Sequence, residues 1–289
     1  MAHLLVVLGA TGNQGSSVVN AVITDPELSK QYKVRTVTRD TSKPAAMAMK
    51  EEGVEVVQGD FDHEETIHAS LQDAHTVFLM TNTTIGHPQG RTLEVRQGKA
   101  VADAAVSAGA QYIIYSTQYS AAEISGGKYP VDHFDMKYEV DQYIRGLPIK
   151  SAFVAPGSFM QNFDDLFAPR PIDTKGDFGK FVAPILAEPD KYQGKFFTVS
   201  SELRSFEYVT ETMSKATGKT VKYVQIPEAK FREFFLPATA DVYVNMFLFY
   251  QDFGYYGPET KEEVEWAVKN ARGRLTTLEE YIQKHVKLE

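Results

Sequence analysis

Cysteine is absent from the 289 residues. That excludes disulfides, zinc–thiolate centres and thiol catalysis. Long apolar runs are absent too, and none reaches the roughly 18 residues of a membrane span. The N-terminal run Leu4–Leu8 is too short for a secretory signal, lacks a charged lead-in and ends in glycine. The expected location is the cytoplasm, with the nucleus left open, and no membrane partner is expected. Positive charge is scarce, with 30 Lys and Arg against 38 Asp and Glu and a net charge of −8. Direct nucleic-acid binding needs a basic face that this balance does not supply, although a small basic pocket for phosphate remains allowed. Neither a G-x-S-x-G nucleophile elbow nor a Walker lysine motif occurs. His63 and His68 approach the H-E-x-x-H zinc motif but stand five residues apart. On a helix they diverge by about 140°, so no metal is expected.

What is present is an ordinary globular composition, 43% hydrophobic and 24% charged. Strands are predicted at Leu4–Leu8, Val34–Thr38, Val54–Gln58, Thr76–Met80, Tyr112–Ser116 and Lys150–Ala155. Helices alternate with them at Ser16–Thr24, Pro44–Glu52, Glu64–Leu71, Leu93–Ala108 and Val131–Arg145. This alternation predicts an α/β fold, a Rossmann-type doubly wound parallel sheet with ligands at the strands' C-terminal ends. The nucleotide-binding domain is placed at 1–156, and a smaller C-terminal α+β lobe for substrate or partner at 157–289, with exchange of elements between them allowed. In that lobe Phe181–Leu186, Glu207–Thr217, Glu259–Asn270 and Leu278–His285 read as helices, Lys195–Val199 and Val221–Gln225 as strands. The aromatic-rich stretch Phe231–Tyr256 reads as packing for the lobe or, alternatively, as an apolar roof over a ligand or a partner surface.

The most informative segment joins the first strand to the first helix. Gly9, Gly12 and Gly15 follow five apolar residues in the order G-A-T-G-N-Q-G. One glycine permits the turn, one lets a pyrophosphate approach bare backbone, and one lets helix and strand pack closely. The helix N-terminus then faces the anion, which makes Thr11, Asn13 and Gln14 candidate contacts as well. At the end of the second strand, Arg39 and Lys43 suit the 2′-phosphate of NADP(H). Asp40, beside them, leaves weaker NAD(H) binding open. After the third strand, Asp60 and Phe61 flank the expected adenine position, where Asp60 reads equally as a turn and helix cap. Met80 and Thr81 close the fourth strand beside the cleft.

These motifs, with His133-Phe134-Asp135-Met136-Lys137, together resemble the NmrA-like family of atypical short-chain dehydrogenase/reductase proteins. The likeness extends through Pro156–Phe163, similar to the family's segment over the nicotinamide end, and Ala187–Gln225. It covers most of the chain. Ordinary short-chain dehydrogenases pair tyrosine and lysine four residues apart, with a serine ending the fifth strand. Here Ser116 and Lys137 fit that pattern, but His133 stands where the tyrosine would be. The resemblance implies that Lys137 holds the nicotinamide ribose and that His133 and Lys137 are the catalytic candidates. Family members with this spacing include cofactor-binding regulators, so a redox-sensing or transcription-regulating role with a protein partner is the first expectation. The alternative is an NADPH-dependent reductase of a small apolar carbonyl, enone or quinone. The segment 163–177 reads as shortened relative to the family.

Overall fold

The computed structural model describes residues 2–165 and 171–286. Residues 166–170, inside the segment expected to be shortened, lie outside the described residues. The chain begins with β1 (His3–Leu8), α1 (Asn13–Thr24), α2 (Leu28–Gln31), β2 (Tyr32–Thr38), α3 (Pro44–Glu51), β3 (Glu55–Gln58) and α4 (Glu64–Ser70). It continues through β4 (Thr76–Leu79), α5 (Gly90–Ser107), β5 (Tyr112–Ser116), α6 (Ala121–Ile124), α7 (Asp132–Arg145) and β6 (Lys150–Pro156). Next come the short parallel pair β7 (Ser158–Phe159) and β8 (Pro171–Ile172), then α8 (Phe178–Ala187) and β9 (Phe196–Val199). Five further helices follow among the described residues: α9 (Phe206–Thr217), α10 (Glu228–Arg232), α11 (Pro237–Phe253), α12 (Thr260–Asn270) and α13 (Leu278–His285).

Seven strands form one parallel sheet in the order β3-β2-β1-β4-β5-β6-β9. The direction of winding reverses between β1 and β4, the place where folds of this kind open a ligand crevice at the strands' C-terminal ends. Alternating side chains fill two layers. Leu5, Val7, Phe78, Ile114 and Val154 face α1 and α8, while Val6, Val77, Ile113 and Phe153 face α4, α5 and α7. Burial on both sides explains why these strands read as unbroken apolar runs.

Beyond Pro156, β9 completes the main sheet beside β6, and α8 packs on α1 with the Gly179 amide donating to Ser17 Oγ at 2.9 Å. One expected element is corrected. Val221–Gln225 is not a strand and pairs with neither sheet among the described residues. Its first residue instead exchanges hydrogen bonds with Ser214 Oγ (2.9 and 3.1 Å), and the Tyr223 ring stacks on Phe206 at 5.1 Å.

Candidate cofactor and active site

The β1–α1 turn has the geometry of an anion cradle. Gly9 has φ +72°, and the Gly12 amide closes the turn on Gly9 O at 3.0 Å. A Cβ on Gly15 would sit 2.4 Å from Gly9 O and 2.7 Å from Ala10 Cα, so strand and helix could not approach as they do. A Cβ on Gly12 would meet only Gly9 O, at 3.4 Å, and would otherwise project into the open crevice. Gly12 caps α1 without a side-chain bond, and the first turn has no acidic residue. Its amides therefore remain available to an anion. Thr11 and Asn13 are exposed there, while Gln14 is half-buried and accepts from Ser116 Oγ at 2.6 Å. That bond ties the cradle to the end of β5.

Arg39 and Lys43 are both exposed beyond β2, and neither forms a salt bridge among the described residues. Asp40 does not neutralise them closely. Its Oδ1 accepts from the Ser42 hydroxyl (2.6 Å) and amide (2.9 Å), bonds that hold its carboxyl below the usual carboxylate range with help from the Lys43 charge. Two unpaired cations beside a dinucleotide turn suit an added phosphate. Asp60 serves the following turn, accepting from the Asp62 amide at 3.2 Å, while Phe61 leans on the cluster containing Ile67 and Val101. Met80 packs under the turn, its Sδ lying where a Gly9 side chain would go.

At the other end of the crevice three segments converge. Lys137 Nζ, on α7, donates to Glu94 Oε1 (2.6 Å) and Thr81 Oγ1 (2.9 Å). Thr81 donates in turn to Glu94 Oε1 at 2.5 Å, and Tyr115 OH lies 3.5 Å from Thr81 Oγ1. Ser116 and Pro156 end the adjacent strands β5 and β6, and Gln118 joins those ends through a 2.6 Å bond from Nε2 to Pro156 O. Asp135 fixes the whole corner. Its carboxylate accepts from Ser120 Oγ and the amides of Ala122 and Val131, at 3.0, 3.0 and 2.9 Å, capping α6 and α7 together.

His133 lies one turn before Lys137, half-buried, with its ring 4.7 Å from Phe134 and Nδ1 buried without a hydrogen-bond partner. Burial first, and then the Lys137 charge, push its pKa down to about 4. It is therefore neutral at pH 7 and offers no ready proton. The sign of the pH effect follows. The unfolded chain takes up this proton near 6.5 and the folded chain only near 4, so stability is lost as pH falls through that window, by roughly 3 kcal/mol. Asp141, pushed up to about 6 by burial, works in the opposite direction, losing stability as pH rises. We expect His133→Gln to lose less stability than the natural protein between pH 6.5 and 4. Parallel urea-unfolding profiles for the two proteins would refute this.

The tyrosines near this helix do not replace the missing one. Tyr129 OH donates to Asp252 at 2.7 Å, and Tyr138 faces Glu123. The Phe231–Tyr256 stretch divides in two. Its inner part packs as a core, with Phe134 5.8 Å from Tyr255 and Tyr256 OH donating to Ala155 O at 3.2 Å. Its outer part continues from Tyr250 through Phe247 to Phe231 and Phe235 at ring spacings of 5.7, 5.1 and 5.0 Å. The inner part thus takes the packing role.

Residues 1–282 match the NmrA-like family. The chain belongs to that family. An NmrA-like family domain-containing oxidoreductase, FrzB of a Cladobotryum species, is 28% identical over 91% of this chain and 88% of its own. Among solved structures, the negative transcriptional regulator NmrA in complex with NAD superposes with a TM-score of 0.81, covering 98% of this chain and 95% of that one at 22% identity. Citrobacter sp. triphenylmethane reductase complexed with NADP(H) gives 0.77 over 98% and 100%, at 17% identity. Among the described residues this NmrA-like chain has no helix long and apolar enough to cross a membrane, and no cluster of side chains able to hold a metal.

Proposed function

We propose that this NmrA-like protein binds NADP(H) and reduces an apolar, conjugated acceptor of the quinone or enone class. What supports the cofactor reading is the glycine turn of β1–α1 and the two cations beyond β2. The α1 amides and Gly12 would hold the pyrophosphate, Arg39 and Lys43 the 2′-phosphate, and Lys137 the nicotinamide ribose. When bound, the nicotinamide supplies a hydride. The observation that carries the reading is the pairing of a rigidly held Lys137 with a neutral His133 where a tyrosine acid would stand. A site without a strong proton donor suits acceptors that take hydride first and collect a proton from water afterwards. The half-buried outer rings Phe231, Phe235, Phe247 and Tyr250 suit a flat apolar molecule. Several curated relatives, FrzB among them, are named oxidoreductases, which supports this reading.

A second reading is favoured by the exposed side chains Val224, Phe234 and Leu236, which are 69, 72 and 74% accessible. In that reading cofactor occupancy is reported through this surface to a regulatory protein partner in cytoplasm or nucleus. Following NADPH absorbance with quinones, enals and triarylmethane dyes separates the two. Catalytic consumption supports the reductase, and none across the panel supports the regulator. For either, Arg39→Ala is expected to weaken NADPH by about 1.5–3 kcal/mol while leaving NADH nearly unchanged. Calorimetric titration showing equal losses would remove Arg39 from the phosphate.

A further inference from the structure

Glu94 was not singled out in the sequence, yet it lies against the Lys137 ammonium with a side chain 1% exposed. It belongs to a single stripe of α5, with Gly98, Val101, Ala102 and Ala105 as the other buried positions at helical spacing. A carboxylate on such a small, apolar stripe is unfavourable unless it is paired. The pairing is dense: Oε1 accepts from Lys137 Nζ at 2.6 Å, Thr81 Oγ1 at 2.5 Å and Thr83 Oγ1 at 3.3 Å. Oε2 is buried with no partner among the described residues.

The backbone is arranged for this contact. Gly98 follows Glu94 by one turn, and a Cβ there would meet both Val140 methyl groups at 2.9 Å and Thr81 Cγ2 at 3.1 Å. Glycine thus lets α5 approach α7 closely, and Val140 lies one turn beyond Lys137. The same close approach brings the two charged groups together. Thr81, from the end of β4, completes the corner.

We infer that Glu94 is a positioning residue, holding the Lys137 ammonium in place at the nicotinamide end of the crevice before the cofactor arrives. The inference rests on the cofactor reading given above. A lysine stem has several free rotors and a strongly hydrated head. Fixing both in advance means that ribose hydroxyls meet an oriented donor rather than one that has to be ordered on binding. Glu94 has no role as a proton donor in this account; it acts through Lys137.

Two measurements on Glu94→Gln and Glu94→Asp test it. In the cofactor-free protein, reductive methylation at neutral pH followed by peptide mass spectrometry reports on Lys137. Glu94→Gln is expected to speed its labelling by about tenfold, because the amine is no longer held against the Glu94 carboxylate and meets the reagent more freely. Glu94→Asp is expected to stay near the natural rate. In NADPH titrations followed by fluorescence, Glu94→Gln is expected to bind roughly tenfold more weakly, because the lysine head has to be ordered on binding. Glu94→Asp restores most of the affinity. A folded Glu94→Gln with unchanged Lys137 labelling and unchanged NADPH affinity overturns the inference. If the natural protein fails to bind NADPH, the cofactor reading falls, and the methylation result still decides whether Glu94 controls Lys137.

Discussion

Lys137→Met is expected to destabilise the cofactor-free protein by about 3–5 kcal/mol at neutral pH, the loss typical of stranding one partner of a buried ion pair. Glu94 is left 1% exposed. Only the Thr81 and Thr83 hydroxyls then remain to solvate Oε1. The double change Glu94→Gln with Lys137→Met removes both charges and is expected to recover most of the loss, since a buried pair is often replaceable by neutral groups of similar volume. Urea unfolding of the two single variants and the double variant forms the cycle. Additive losses would mean that the two residues stabilise the fold separately, contrary to the geometry.

Gly15→Ala and Gly12→Ala should part company although they are one helical turn apart. At Gly15 the added methyl meets Gly9 O at 2.4 Å and Ala10 Cα at 2.7 Å, backbone atoms that cannot rotate away. Opening the strand–helix spacing there is expected to cost about 1–3 kcal/mol and to disorder the cradle. NADPH affinity should fall by at least about 100-fold. At Gly12 the methyl has only an ordinary contact at 3.4 Å. Stability should therefore stay within about 0.5 kcal/mol of the natural protein, while affinity drops, because the methyl occupies the space through which the pyrophosphate approaches. Thermal unfolding paired with NADPH titration reads both quantities. Equal destabilisation of the two variants would show that Gly12 has a packing role rather than a ligand-facing one.

The parts of the molecule visible in the sequence are those where local chemistry and fold agree. Strands buried on both faces read as continuous apolar runs. Tyr112–Ser116 and Leu278–His285 have the bounds their residues suggest. The glycine turn was legible because Gly9 takes a positive φ and Gly15 lets strand and helix approach closely, with Gly12 leaving open space between them. Val221–Gln225 misled because β-branched and aromatic residues describe a half-buried surface, and pairing depends on an edge that the sequence does not show. Glu94 was missed for a related reason. An acid on a helix normally reads as solvated, and only its phase with Gly98, Val101 and Ala102 marks it as facing inward. Asp135 was quoted only as part of a motif, although its double cap holds α7 in place. The chemical consequence of His133 also needed the structure, since its neutrality comes from burial and from the nearby Lys137.

The most direct test of the central claim is hydride transfer itself. The protein is incubated with NADPH carrying deuterium at the transferable position of the nicotinamide and with a quinone or enone that it consumes, and the product is analysed by mass spectrometry. The deuteride is followed in an enone, where it ends on carbon and does not exchange with water. The account predicts deuterium in the enone product, retention of turnover in His133→Gln, and loss in Lys137→Met. Absence of label, or turnover that vanishes with His133 alone, would contradict a crevice that donates hydride without a protein acid.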